Sequence, residues 1–197
     1  MPKIVILVTN RCQASNIHTI LDILIAANQV AKAYLGSDKS PFKFALVGLE
    51  EKVKAYNLSS IDNIQLIHEV SRPDIVIIPG AFEATITEDD ALDCLEKYQE
   101  VIETLNRWHK QGVLLASACT GNFLLAKTNA LKGRDITCHW AFSSLAHKLF
   151  PDEAFQTSKI LIDHGDIVSA GGAMAIAQLV LYLLAREHSK ELAKITA

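Results

Sequence analysis

Cys119 stands in the run Ser117-Ala118-Cys119-Thr120-Gly121, between the apolar stretch Val113–Ala116 and a second apolar stretch that runs from Thr120 to Leu131. Small residues two places before and two places after the cysteine suit a sharp strand-to-helix turn, because bulkier ones collide there. A thiol on such an elbow projects at a helix N-terminus. Free N–H groups and the helix dipole favour thiolate in that position, so the expectation is a lowered pKa and a nucleophile. The ordinary alternative is a buried cysteine acting as a small apolar filler. His139, in Thr137-Cys138-His139-Trp140, could hold or deprotonate Cys119 as a Cys–His pair, although six other histidines compete for the role. Pro79-Gly80-Ala81 closes another apolar run, and its N–H groups offer an oxyanion hole. A Pro-Gly after a strand is by itself only a turn.

These residues need elements to carry them. Lys3–Thr9, Phe42–Leu49, Asp74–Ile78 and Val113–Ala116 are short, β-branched apolar runs of the kind buried on both faces of a parallel sheet. Val53–Tyr56, Ile64–Ile67 and Ile136–Cys138 read as shorter extended pieces. Ile160–Ile162 and Ile167–Ser169 frame the turn Asp163-His164-Gly165-Asp166. Ile17, Ile20, Leu21, Leu24 and Ile25 recur at helical spacing from Asn16 to about Ala33, and Gly36-Ser37-Asp38-Lys39-Ser40-Pro41 breaks the chain after them. Thr87 with Asp90 resembles a capping box that starts one long helix reaching Gly112. Ala141–Phe150 and a last helix from about Ala173 to Glu187 or further complete the helices. Strands alternating with helices imply right-handed βαβ crossovers and a three-layer α/β sandwich around a mostly parallel sheet. In such a sheet, reactive groups gather beyond the carboxyl ends of the strands, where the three candidate segments fall. No repeat or linker divides the chain, so residues 1–197 read as a single domain.

Composition narrows the classes. Half of the 197 residues are hydrophobic, and the net charge is −3. A disordered chain and a basic nucleic-acid binder are both disfavoured. No segment clusters Arg and Lys as a DNA-recognition helix does. Ile167–Ala185 carries no charge, but Ser169-Ala170-Gly171-Gly172 and Gln178 interrupt it, so it reads as buried core and no membrane partner is expected. Four scattered cysteines without a CxxC pair, and a start lacking a signal-peptide core, suit free thiols in the cytoplasm. Cys138-His139 adjacency lacks the spaced ligands of a zinc site, so no metal and no cofactor are expected.

IVIIPG over 75–80, SACTG and TCHW together resemble the ThiJ/PfpI superfamily, with its flavodoxin-like, class I glutamine-amidotransferase-like fold and nucleophile elbow. The resemblance runs over essentially the whole chain and is nearest to the N-terminal domain of AraC-type transcriptional regulators, where ACTG, THWA and VTSAG-like segments recur together. It implies Cys119 and His139 as the catalytic pair, and Asn16, Gly80, Ala81, Thr120 and Gly121 around a bound ligand. Enzymatic members carry an acid where this chain has Asn16, Ala81 replaces a glycine of their Pro-Gly-Gly, and Ala177 replaces a second acid. An amide hydrogen bonds but exchanges no proton. The resemblance therefore implies sensing of a small polar effector by a homodimer more than turnover. DNA would be met only through a helix-turn-helix domain, which such regulators begin near the position of Ala197. A small amidase, hydratase or glyoxalase-like enzyme is the alternative, and an oxidisable Cys119 sensing peroxide is a third.

Overall fold

The computed structural model describes residues 1–34, 36, 40–81 and 87–197. In chain order the elements are β1 (Lys3–Leu7), α1 (Ala14–Tyr34), β2 (Lys43–Gly48), β3 (Val53–Lys54), β4 (Ser60–Ile61), β5 (Gln65–Leu66), β6 (Ile75–Ile78), α2 (Glu88–Lys97), α3 (Gln99–Lys110), β7 (Leu114–Ala118), α4 (Gly121–Ala126), β8 (Ile136–Thr137), α5 (Ser143–Leu149), β9 (Phe155–Gln156), β10 (Leu161–Asp163), β11 (Ile167–Ala170), α6 (Ala175–Glu187) and α7 (Lys190–Thr196). The main sheet has the order β10-β11-β7-β6-β1-β2-β5. Every neighbouring pair in it is parallel except the β10–β11 hairpin.

Alternation along the central strands builds the two outer layers. Ile4, Ile6, Ile75, Ile77, Ala116 and Val168 face α1, α6 and α7, while Val5, Leu7, Val76, Ile78, Leu115 and Ile167 face α3, α4 and α5. Both faces are covered, which is why these strands read as unbroken apolar runs. The expected three-layer sandwich is the one observed.

Three boundaries differ from expectation. The long helix after the Thr87–Asp90 capping box is two helices, because Tyr98 leaves helical geometry (φ −97°, ψ 21°) and its buried hydroxyl accepts from Asn10 N–H at 2.7 Å. The helix expected to reach Leu131 ends at Ala126, where Thr128 Oγ1 donates back to Leu125 O and Asn129 N–H turns to Asn106 Oδ1. After α6, Ser189 caps the additional α7 by accepting from Leu192 N–H. Residues 37–39 of the expected break after α1 lie outside the described residues. Among the described residues no helix is long and apolar enough to cross a membrane.

Candidate functional site

Strands β6 and β7 end side by side, and Cys119 follows β7 with φ +55°, a left-handed conformation that a side chain tolerates poorly. Its neighbours hold it there. Cys119 N–H donates to Ala170 O, and Cys119 O accepts from Asn122 N–H. At Gly121 a Cβ would stand 2.3 Å from Pro79 O and 2.4 Å from Ile78 O, so only glycine lets α4 start against the end of β6. Asn122 is fully buried. It accepts from Ser117 Oγ at 2.5 Å and donates to Thr137 O at 2.8 Å and Ala170 O at 3.0 Å, joining β7, β8 and β11 through one amide. The sequence reading passed over Asn122; its signal is a lone amide opening the otherwise apolar run Phe123–Ala126.

The Gly80 turn is equally bound, and this corrects the oxyanion expectation. Gly80 N–H donates to Asn16 Oδ1 at 3.2 Å, and Ala81 N–H donates to Thr120 Oγ1 at 3.0 Å. Both donors already have acceptors, so neither offers a free oxyanion hole. Ala81 O takes Thr9 Oγ1, and Gly80 O takes Gln13 N–H. Asn16, 2% exposed, also donates from Nδ2 to Ala173 O at 3.0 Å. Its amide thus clamps the turn after β6 to the turn after β11, pairing an acceptor with a donor that an ionised carboxylate lacks.

Cys119 is half-buried. Burial pushes its thiol pKa up, and the Thr120 N–H and hydroxyl pull it only partly back. This reverses the expectation of a thiolate favoured by a helix N-terminus. The six-residue α4 is too short to set up much of a dipole against the loss of water. His139 Nδ1 accepts from Ala141 N–H at 3.3 Å, and its ring lies 5.5 Å from that of Trp140. Among the described residues no hydrogen bond joins His139 to Cys119, so the expected bonded pair is not formed. Cys138 is an electrostatic neighbour of Cys119: its thiol is pushed up to about 11, by burial first and by Cys119 second.

The turn Gly171–Ala173 touches both halves of the site. Ala173 O holds Asn16, and a Cβ on Gly172 would meet the His139 ring at 3.3 Å. Asp163 and Asp166, which could have supplied the absent acid, lie at the other end of the sheet. Asp163 binds Tyr182 and Arg186, and Asp166 binds His109 and Arg134. Among the described residues no group of three or more His, Cys, Asp or Glu could hold a metal ion.

A doubly covered parallel sheet with a cysteine elbow at its carboxyl edge defines an amidotransferase-like domain. The DJ-1/PfpI family profile matches residues 3–186, and the chain belongs to that family. Among curated proteins it is similar to the HTH-type transcriptional regulator GbdR of Pseudomonas aeruginosa, with 34% identity over 94 residues, 48% of this chain and 25% of that protein. It is also similar to the HTH-type transcriptional regulator CdhR of the same species, with 28% identity over 141 residues, 72% of this chain and 39% of that protein. The chain thus spans between a quarter and two fifths of these regulators' lengths. The crystal structure of an AraC family transcriptional regulator from Pseudomonas putida superposes with a TM-score of 0.71, covering 100% of this chain and 97% of that one; at 14% identity the likeness is one of fold.

Proposed function

We propose that this chain is the effector-binding, dimerising regulatory domain of an AraC-type transcriptional regulator acting in the cytoplasm, whose DNA contacts come from a helix-turn-helix domain outside these 197 residues. The observation that carries this reading is Asn16. Where an acid would tune or orient the thiol, its amide is bonded on both sides to backbone and does no acid–base work. The occupied N–H groups of Gly80 and Ala81 and the raised thiol point the same way. The effector is a small polar molecule bound near Cys119, Thr120 and His139, competing for the hydrogen bonds that now close the Gly80 turn. The sequence similarity to parts of two HTH-type regulators supports the assignment.

One observation favours the enzyme alternative. The left-handed Cys119 is local strain of the kind that gathers at reactive centres. Thermal-shift measurements against a panel of small polar metabolites, run beside turnover assays with amides, aldehydes and isonitriles, separate the two. We expect one metabolite to raise Tm by several degrees, as about 2.7 kcal/mol of linkage at 100-fold excess over Kd would give. The shift should shrink in His139→Ala, with no turnover at any pH. Turnover that disappears in Cys119→Ala and shows a bell-shaped pH profile would overturn the sensor reading.

A further inference from the structure

Residues 104–134 carry five of the 19 Lys and Arg of this chain and none of its 22 Asp and Glu. The fold brings the two ends of this stretch together, the last turn of α3 against the loop Asn129–Arg134 that follows α4, at the amino edge of the sheet. Between them lies an open cleft of about 560 Å³, the size of a small-ligand cleft.

The polar groups on the cleft sort into a frame and a set of free donors. Arg134 belongs to the frame: its guanidinium donates to both Asp166 carboxylate oxygens and to the carbonyls of Ala130 and Leu131. His109 shares Asp166 at 2.7 Å. Asn106 Oδ1 accepts from Asn129 N–H at 2.8 Å, which leaves the Asn106 NH2 as the unspent end of that amide. Lys110 and Lys132 also border the cleft, and among the described residues neither ammonium has a hydrogen bond or an ion pair. The dipole of α3 accounts for a cation at Lys110, beside its C-terminus. It does not account for Lys132, which comes from a different segment. Lys132 and Gly133 have φ of +45° and +81°, in a turn closed by Arg134 N–H to Leu131 O at 3.0 Å. A side chain is costly there, and Gly or Asn is the ordinary occupant.

Two free ammonium groups beside amide donors match one compact dianion. A carboxylate is gripped best by a bidentate guanidinium, and that of Arg134 is committed elsewhere. A tetrahedral phosphate is met well by point charges and N–H groups, and as a monoester it carries a charge of about −1.5 to −2 at neutral pH. We propose that this cleft binds a phosphomonoester dianion, with Lys110 and Lys132 as its charge partners, Asn106 and Asn129 as amide donors, and the Asp166–Arg134 pair as the frame. The site stands at the opposite end of the sheet from Cys119 and is independent of the effector reading above.

Isothermal titration calorimetry with inorganic phosphate and phenyl phosphate tests it, on the unaltered chain, Lys110→Gln and Lys132→Gln. Succinate is the carboxylate comparison. Lys127→Gln, in the same acid-free stretch but not on the cleft, is the control. We expect saturable binding of both phosphates at millimolar concentration or below, and none of succinate. The dissociation constant should rise about tenfold in each cleft variant, as loss of one charge-assisted bond gives, while Lys127→Gln binds normally and urea midpoints stay unchanged. Equal weakening in Lys127→Gln would reduce the site to a diffuse surface field and overturn the proposal, as would succinate binding as tightly as phosphate. So would the absence of saturable binding of either phosphate. Binding of a DNA duplex that is lost in both cleft variants, without binding of either small probe, would give this face to a nucleic-acid backbone and overturn the small-ligand site.

Discussion

Asp166 and Asn122 each make three side-chain hydrogen bonds, at opposite ends of β7 and β11. Asp166 holds Arg134 at 2.5 and 3.2 Å and His109 at 2.7 Å, with its side chain 46% exposed. Asn122 holds Ser117, Thr137 and Ala170 with no exposure at all. Lys3 N–H to Asp74 and the Asp163–Arg186 pair repeat the ionic style at the amino edge, and Asn16, Thr120 and Ser169 repeat the neutral style at the carboxyl edge. Water competes for the first kind of bond and salt screens it. For the second kind no substitute exists, and a lost partner leaves a buried group without one. We therefore expect the end of the sheet that carries the site to be indifferent to salt, and the opposite end to respond to it.

The sharpest break in that contrast comes from Gly121→Ala. Its methyl group would meet two backbone carbonyls that cannot yield without moving β6, so we expect a loss of about 3 kcal/mol or more in urea unfolding. Asn122→Ala should follow at about 2–4 kcal/mol, because Thr137 O loses the Asn122 donor, Ser117 Oγ loses the Asn122 acceptor and Ala170 O keeps only the Cys119 N–H. That deficit should be the same in low and high salt. Asp166→Asn should cost about 1 kcal/mol or less, and less still in high salt. The sign of its pH dependence is fixed by the Arg134 guanidinium, which holds the Asp166 carboxyl below its usual range, with His109 assisting. Its stabilisation is present above the ordinary carboxylate pKa of about 4 and is lost as pH falls through the lower folded value. The gap between Asp166→Asn and the unaltered chain should therefore close in acid. A salt-dependent Asn122→Ala deficit, or an Asp166→Asn deficit that survives at low pH, would erase the distinction between the two ends.

Much of this was legible in the sequence because burial on two faces leaves a plain mark. Lys3–Thr9 and Asp74–Ile78 are almost entirely apolar and could hardly be anything but central strands, and Ser117–Gly121 gave the elbow through its small residues. The Thr87–Asp90 capping box was equally readable. Long-range bonds left no such mark. Nothing local says that the Tyr98 hydroxyl meets Asn10 across 88 positions and splits a helix, or that Asn16 and Thr120 fill the donors of the Gly80 turn. The Cys119 pKa failed for a related reason: spacing shows a helix start, while desolvation depends on what packs over it.

Asn16 belongs to the first turn of α1, a rod of 21 residues and roughly 30 Å. The hand that grips the Gly80 turn is therefore one end of a lever. Farther along, that lever lies against α6 and α7, the last helix before residue 197. Residue 16 and the two last helices thus share one continuous piece of structure on a single side of the sheet, with no strand between them.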